Sequence, residues 1–277
     1  MMAFRFYPIK MEGQNMLDAD PIQHHLETEK IGRTLRCLGE IESTNTECYQ
    51  EGLKGASEGL VIVADYQRSG RGRLQRQWES PRGKNLLFSV LLRPSLSAES
   101  AIQLTLVAAV AFQKELENFL KIRAQVKWPN DLLINNLKVG GILMEMHVQK
   151  ERLDFVVLGM GLNVNSEAKD FSEELRSRLT TLYKHKGEKI DRSHLLARLL
   201  NSFEKEYRRF LAGGWSGILA EYDKILAIKN KSVRVVLPRG SFEGKVQGVH
   251  ENGALIVVNS QGRRELVLAG EIENLED

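Results

Sequence analysis

From Lys231 to its end the chain reads as short strands and turns, and this narrows its architecture more than any other feature. Four apolar runs, Val233–Leu237, Phe242–Val249, Ala254–Val258 and Glu265–Leu268, are cut by Arg239-Gly240, Asn252-Gly253 and Gln261-Gly262. Asn-Gly between apolar runs signals a hairpin, because both residues accept the positive φ of a tight two-residue turn. The pattern predicts a small β-barrel or sandwich over 230–277. Ahead of it, 1–229 mixes strand and helix patterns and predicts a single α+β domain, with 1–30 as a polar N-terminal extension. That extension is too short and too poor in apolar helical pattern to hold a helix-turn-helix DNA-binding domain.

Within the first domain, Thr44-Asn45-Thr46-Glu47 fits the S/T-x-x-E capping box and predicts a helix start near Ser43–Thr44. Gly59–Ala64 and Asn85–Leu92 read as buried strands, and Ser97 to about Leu120 as a helix with a serine cap. Val126–Ile134 is strand-like but broken at Pro129, which cannot donate to a ladder. Asn135-Asn136 predicts a tight turn into Leu137–Met146. Arg152–Leu158 is a further strand, ended by the predicted loop Gly159–Asn165. Arg192 to about Leu211 has the pattern of a long amphipathic helix.

Bulk composition excludes more than it selects. At 42% hydrophobic and 27% charged, the chain suits a folded globular protein. A net charge of +3, from 39 Lys+Arg and 36 Asp+Glu, is too mild to argue for nucleic acid. Cys37 and Cys48 have neither metal-site spacing nor a framework of pairs, which favours a reduced setting. The N-terminus carries no secretory pattern, and apolar stretches such as Leu104–Phe112 are too short to span a membrane. A cytoplasmic protein without a membrane partner is expected.

Charge distribution says more than the total. Between Arg68 and Lys84 lie six basic residues (Arg68, Arg71, Arg73, Arg76, Arg82, Lys84) and one acid, Glu79, a local net of +5. Gly70 and Gly72 let the backbone come close to a ligand, and interleaved arginines offer planar forks suited to phosphate or carboxylate. Self-repulsion predicts a segment that is mobile until an anion arrives. A solvated basic loop fits the composition equally well. Single-stranded nucleic acid is a weaker fit, since Trp78 is the one aromatic and no basic track continues.

A second segment, Lys127-Trp128-Pro129-Asn130-Asp131, is followed by Lys138 and Gly140-Gly141. A hairpin here would gather Lys, Asn and Asp, groups that neutralise an oxyanion or order a magnesium ion. A plain β-turn with an edge strand has the same residues. A third segment, Gly159-Met160-Gly161-Leu162-Asn163, lacks the third glycine and following helix of a dinucleotide fingerprint.

Together, Ser43-Thr44-Asn45, Gln67, GRGRLQRQW at 70–78 with Ser80-Pro81, KWPND at 127–131, KVGGIL at 138–143 and GMGLNVN at 159–165 resemble the biotin–protein ligases, in that family's order and spacing. The resemblance covers roughly 38–277. It implies an α+β catalytic domain of the class II aminoacyl-tRNA synthetase/biotin synthetase-like fold with a C-terminal SH3-like β-barrel. It also implies an activity: ATP-dependent formation of biotinyl-5′-AMP with release of pyrophosphate, then transfer of biotin to a lysine of a biotin carboxyl carrier protein, with Mg²⁺.

Residue roles follow from the same resemblance. Ser43, Thr44, Asn45 and Gln67 would line the biotin pocket. Gly70, Arg71, Gly72 and Arg73 would close over biotin and the adenylate, the two arginines meeting carboxylate and phosphate charge. Gly140 and Gly141 would lie beside biotin. Lys138 would contact the biotin carboxylate and the α-phosphate. Arg73, Arg76, Trp78, Lys127, Asn130 and Asn163 would serve ATP, with Trp78 near the adenine. Asn130 and Asp131 would hold the metal, and Asp131 would help orient or deprotonate the carrier lysine. Without room for a winged helix, a monofunctional enzyme that binds no operator DNA is expected. Oligomeric state is left open, a homodimer included. A lipoate–protein ligase shares the implied fold and chemistry, and a non-enzymatic anion- or RNA-binding module is the rival from another class.

Overall fold

The computed structural model describes residues 16–238 and 240–275; residues 1–15 of the N-terminal extension and Arg239 of the first C-terminal turn lie outside the described residues. β3 (Leu86–Leu92) is apolar except for Ser89 and is buried along its whole length, as a strand covered on both faces must be. It lies near the middle of a seven-stranded sheet whose other members are β1 (Leu35–Leu38), β2 (Val61–Ala64), β4 (Gln125–Lys127), β5 (Asp131–Ile134), β6 (Leu137–Gln149) and β7 (Arg152–Leu162). The order is β1-β2-β3-β7-β6-β5-β4. β1 and β2 run parallel, and every other neighbouring pair is antiparallel.

Period-two alternation sorts the strand residues between the two faces. Val61, Val63, Phe88 and Val90 enter the large core beneath α4 (Leu104–Leu120) and α7 (Arg192–Leu211). Phe88, Phe112 and Phe203 tie β3, α4 and α7 together, with ring centroids 6.0 and 5.9 Å apart. On the other face, α2 (Thr44–Leu53) packs its Cys48 against Ile62, Leu91, Phe155 and Val157 and stops there. Farther along that face β6 and β7 present Gly141, Gly159 and Gly161, and a cleft opens above them.

Several boundaries differ from the sequence reading. The cap of α2 is Ser43, whose Oγ accepts from Thr46 N, while the Thr44 hydroxyl turns to Gln67. β7 does not end at Leu158: Gly159 and Gly161 pair with Ser89 and Leu87 of β3, so the glycines lie in the sheet and the loop starts at Asn163. The helix expected from Ser97 is two helices, α3 (Ala98–Ala101) and α4. The polar segment before β1 holds α1 (Ala19–His24), capped by Asp18 and anchored by the fully buried Ile22. Among the described residues, α5 (Glu173–Arg176), α6 (Leu182–Lys186) and α8 (Trp215–Ile225) complete the α-helices of the first domain.

The C-terminal module is a five-stranded antiparallel sheet of β8 (Ser232–Leu237), β9 (Gly240–Val249), β10 (Leu255–Asn259), β11 (Arg264–Val267) and β12 (Glu271–Asn274). β8 to β11 lie on the four apolar runs read from the sequence and follow one another as a meander. β12, too polar to read as an apolar run, adds to the free edge of β8. Val233, Val235, Val246, Val257 and Ile272 extend the large core without a break. The turn at 250–253 is seated on the first domain by three side chains: Gln103 and Trp215 donate to Glu251 O at 2.9 and 2.5 Å, and Trp128 Nε1 donates to Gly253 O at 3.0 Å.

Candidate active site

The floor of the cleft exists because three sheet positions have no side chain. A Cβ at Gly159 would lie 1.9 Å from Asn45 Oδ1, and one at Gly161 would lie 2.4 Å from Trp78 Cε2. At Gly141 the nearest Trp78 atom would be 3.2 Å away. These glycines are needed for room, not for backbone freedom: a side chain and an indole lie flat on the strands there. Gly140, on the opposite face, instead meets Met160 and Gly161 O within the sheet packing, so it stands behind the floor.

One wall is the first turn of α2. Ser43, Thr44 and Asn45 are buried. Thr44 N and Oγ1 both donate to Gln67 Oε1, at 2.7 and 3.0 Å. Ser89, the polar break in β3, donates to Asn45 Oδ1 at 2.6 Å, and its hydroxyl oxygen lies within hydrogen-bond distance of Thr44 Oγ1 at 2.8 Å. Asn45 Nδ2 donates to Glu145 Oε2 at 2.9 Å.

The roof is a tight hairpin. Trp78 N donates to Gly70 O and Gly72 N to Arg76 O, at 2.9 and 2.7 Å, with Leu74 and Gln75 at φ 54° and 60° in the tip. A Cβ at Gly70 would sit 2.6 Å from Trp78 O, so the hairpin closes only on glycine. The arginines face acids from outside the segment. Arg68 pairs with Glu40 and Glu42 at 2.8 and 2.6 Å, Arg71 with Glu145 at 2.7 Å, and Arg76 with Glu271 of β12 at 2.6 Å. Arg82 pairs with Glu40, and Lys84 with Asp170 at 2.7 Å. Arg73 is the exception among the described residues: it donates to Asn130 Oδ1 at 3.2 Å and Gly270 O at 3.5 Å, both neutral. Burial pushes its guanidinium below the ordinary value, an effect that Asp131 and Glu271 partly offset.

The hairpin of β4, β5 and β6 supplies the remaining charges. Lys127 pairs in register with Asp131, and Asn130 Nδ2 donates to Ile142 O at 2.9 Å. Lys138 Nζ lies 2.7 Å from Asp131 Oδ1 and 5.5 Å from the Trp78 ring centroid. The Asp131 contact is a charge pairing rather than an aligned hydrogen bond. The main chain of Lys138 is strapped by residues 178–180: its N donates to Arg178 O at 3.0 Å, and its O accepts from Thr180 N at 2.8 Å. Trp78 Nε1 is buried and has no hydrogen-bond partner among the described residues. Asn163 is buried, its carboxamide shared between Thr180 O and Asn85.

These walls enclose about 960 Å³. Every residue given a binding or catalytic role from the sequence lines this space except Gly70, which lines a smaller hollow under the hairpin, and Gly140. The sequence reading missed Ser89, Glu145 and Glu271. Ser89 had a signal, as the lone polar residue in an apolar strand. The two glutamates had none, since each is recognised by the arginine it meets across the fold. Among the described residues no three His, Cys, Asp or Glu side chains form a group that could hold a metal, and no helix is long and apolar enough to cross a membrane.

Known proteins resemble this arrangement over nearly the whole chain. The Biotin/lipoate A/B protein ligase family matches residues 38–163, and the Biotin protein ligase C terminal domain matches 229–273. The bifunctional ligase/repressor BirA of Bacillus spizizenii is 36% identical over 261 residues, covering 94% of this chain and 80% of that protein. The biotin–[acetyl-CoA-carboxylase] ligase of Paracoccus denitrificans is 29% identical over 231 residues, covering 82% of this chain and 95% of that protein. The solved structure of biotin protein ligase from Aquifex aeolicus in complex with biotin and ATP superposes with a TM-score of 0.75 at 30% identity, covering 87% of this chain and 98% of that one.

Proposed function

This chain belongs to the biotin protein ligase family, and from that premise we propose how its cleft divides the work. The protein activates biotin with ATP as biotinyl-AMP and transfers the biotin to a carrier protein. The observation that carries the site assignment is the convergence of Arg71, Arg73 and Lys138 on one cleft floored by glycines. An oxygen of the biotin carboxylate attacks the α-phosphorus, the bond to the β-phosphate oxygen breaks, and pyrophosphate leaves. Two anions must meet for this, and fixed cations offset their repulsion.

Arg73 is the hairpin cation whose partners are neutral oxygens, so it turns to an incoming anion at the least cost in broken ion pairs. Arg71 and Lys138 exchange Glu145 and Asp131 for ligand oxygens. Ser43, Thr44, Asn45 and Gln67, with Gly70, Gly72 and Gly141, form the biotin side, and Gly140 supports it from behind. Arg76, Lys127 and Asn163 form the nucleotide side, where the buried Trp78 Nε1 awaits an acceptor. In the second half-reaction the carrier lysine attacks the acyl carbon, its C–O bond to AMP breaks, and the amine proton must leave. Asp131, already directed at one ammonium, is suited to orient another.

Mg²⁺ fits this site as part of the nucleotide substrate, because magnesium is commonly held by one or two carboxylates together with phosphate oxygens and water. Asp131 can supply one oxygen. Asn130, engaged at both ends by Arg73 and Ile142 O, is assigned to hold Arg73.

Pyrophosphate release from MgATP should require biotin, fall by roughly 10²-fold in Lys138→Ala, on the scale of one lost oxyanion donor, and be absent with lipoate. Release with lipoate alone would overturn the substrate assignment. We also propose that the described residues act in ligation and not in operator binding, since 16–34 supply one short helix, packed against α7, rather than a paired-helix unit. Nanomolar binding to an operator in a gel-shift titration would refute that.

A further inference from the structure

The chain leaves the sheet after Ala64 and re-enters it at Leu86, and residues 66–84 between its two feet, Asp65 and Asn85, carry the basic hairpin. Both feet meet at Arg192, the first residue of α7, which is 2% exposed. Its NH1 lies 2.8 Å from Asp65 Oδ1 and donates to Asn85 O at 3.0 Å. The second Asp65 oxygen accepts from Leu17 N at 3.1 Å, and Asp65 O accepts from Gly83 N at 3.0 Å.

Asn85 is fully buried and fully bonded. Its Nδ2 donates to Ser80 Oγ at 3.1 Å and Asn163 Oδ1 at 3.4 Å. Its Oδ1 accepts from Val164 N at 2.9 Å and Ser166 Oγ at 2.8 Å. None of Arg192, Asp65 and Asn85 lines the cleft. Apolar residues could fill such a position at equal stability, so the buried charges need another reason. One guanidinium nitrogen bonded to both feet supplies one, since it fixes where two separate chain segments lie relative to each other.

We propose that Arg192 and Asn85 are positioning residues, a buried clamp across the base of the 66–84 segment that sets the affinity for biotin. The clamp holds the feet where Gln67 reaches Thr44 and where Arg71 and Arg73 overhang the glycine floor. This rests on the assignment of that segment to biotin made above. When the clamp is lost, the geometry competent to bind becomes a fraction of the population, and apparent affinity falls by that fraction. Chemistry in the closed complex is untouched.

The test is the double variant Asp65→Asn/Arg192→Met, which removes both charges together and leaves no orphaned ion. Asn85→Ser, with the ion pair intact, is the second variant. Three quantities are read: thermal unfolding, biotin-dependent pyrophosphate release, and the rate of limited trypsin cleavage between Arg68 and Arg76. In folded variants the KM for biotin is expected to rise tenfold or more, with kcat within threefold, and cleavage of the ligand-free hairpin to accelerate. A fall in kcat at unchanged KM would reduce the network to a structural role and overturn the proposal, as would a KM within twofold and an unchanged cleavage rate. Wild-type protein that releases no pyrophosphate with biotin would instead sink the assignment of the site, and the trypsin rate still reads the hairpin in that case.

Discussion

At Gly161 the sheet has no room for a single carbon, because the Trp78 indole lies across it. Gly161→Ala should keep the fold and displace the indole. Overpacking of this kind costs roughly 1–3 kcal/mol, which is expected to appear as a five- to hundredfold rise in the KM for ATP. An unchanged KM would show that Trp78 plays no part in nucleotide binding. The cysteines make the opposite prediction, one of inertness. Burial pushes the Cys48 thiol from 9.0 up to about 12, and burial with the nearby Asp18 and Asp65 does the same to Cys37. Neither should react with iodoacetamide in the native protein near pH 8. Because both folded-state values are raised, their contribution to stability is complete below pH 9 and is lost as pH climbs toward 12. The urea midpoint should therefore fall through that window, and a flat profile would contradict the raised values of both thiols.

Among the elements, the β4–β5 turn and the 250–253 turn depend on each other. Trp128 sits one residue before Pro129-Asn130-Asp131, and its indole donates to Gly253 O. In Trp128→Phe the ring volume is largely kept but a buried carbonyl loses its donor, which costs about 1–3 kcal/mol. Denaturant unfolding should show that loss, and pyrophosphate release should slow because Asn130 and Asp131 are no longer held. Full stability in the variant would mean that the contact is incidental. The strands themselves were legible in the sequence wherever apolar runs or turn pairs were local: β2, β3 and the meander β8–β11 lie where the pattern predicts. β12 was not, because Glu271-Ile272-Glu273-Asn274 buries one side chain and borrows the rest of its order from β8. The glycines of β7 read as a loop because nothing local reveals that two neighbouring strands claim them.

For the whole molecule, the C-terminal module is part of the cleft. Gly270, Glu271, Ile272 and Asn274 line it, Glu271 pairs with Arg76, and one hydrophobic core runs through both parts. Truncation after Lys229 should therefore abolish biotin-dependent pyrophosphate release, not merely carrier recognition. Adenylation at the wild-type rate by the truncated chain would show the module to be a separate appendage.

The sequence by itself determined what short stretches of chain can write: strands from apolar alternation, turns from Asn-Gly and Pro-Asn, a basic loop from glycines among arginines, and the order of motifs that marks the family. Those features depend on neighbours a few residues away. Only the tertiary structure decided how the charges are balanced. The segment from Arg68 to Lys84 reads as an excess of +5, yet Arg71 finds its acid 74 positions away and Arg76 finds one 195 positions away. Arg192, which fixes the base of that segment, stands 127 positions from Asp65. Electrostatic partners are chosen by distance in space, and strands that cross a sheet bring together residues whose separation along the chain carries no trace of the meeting.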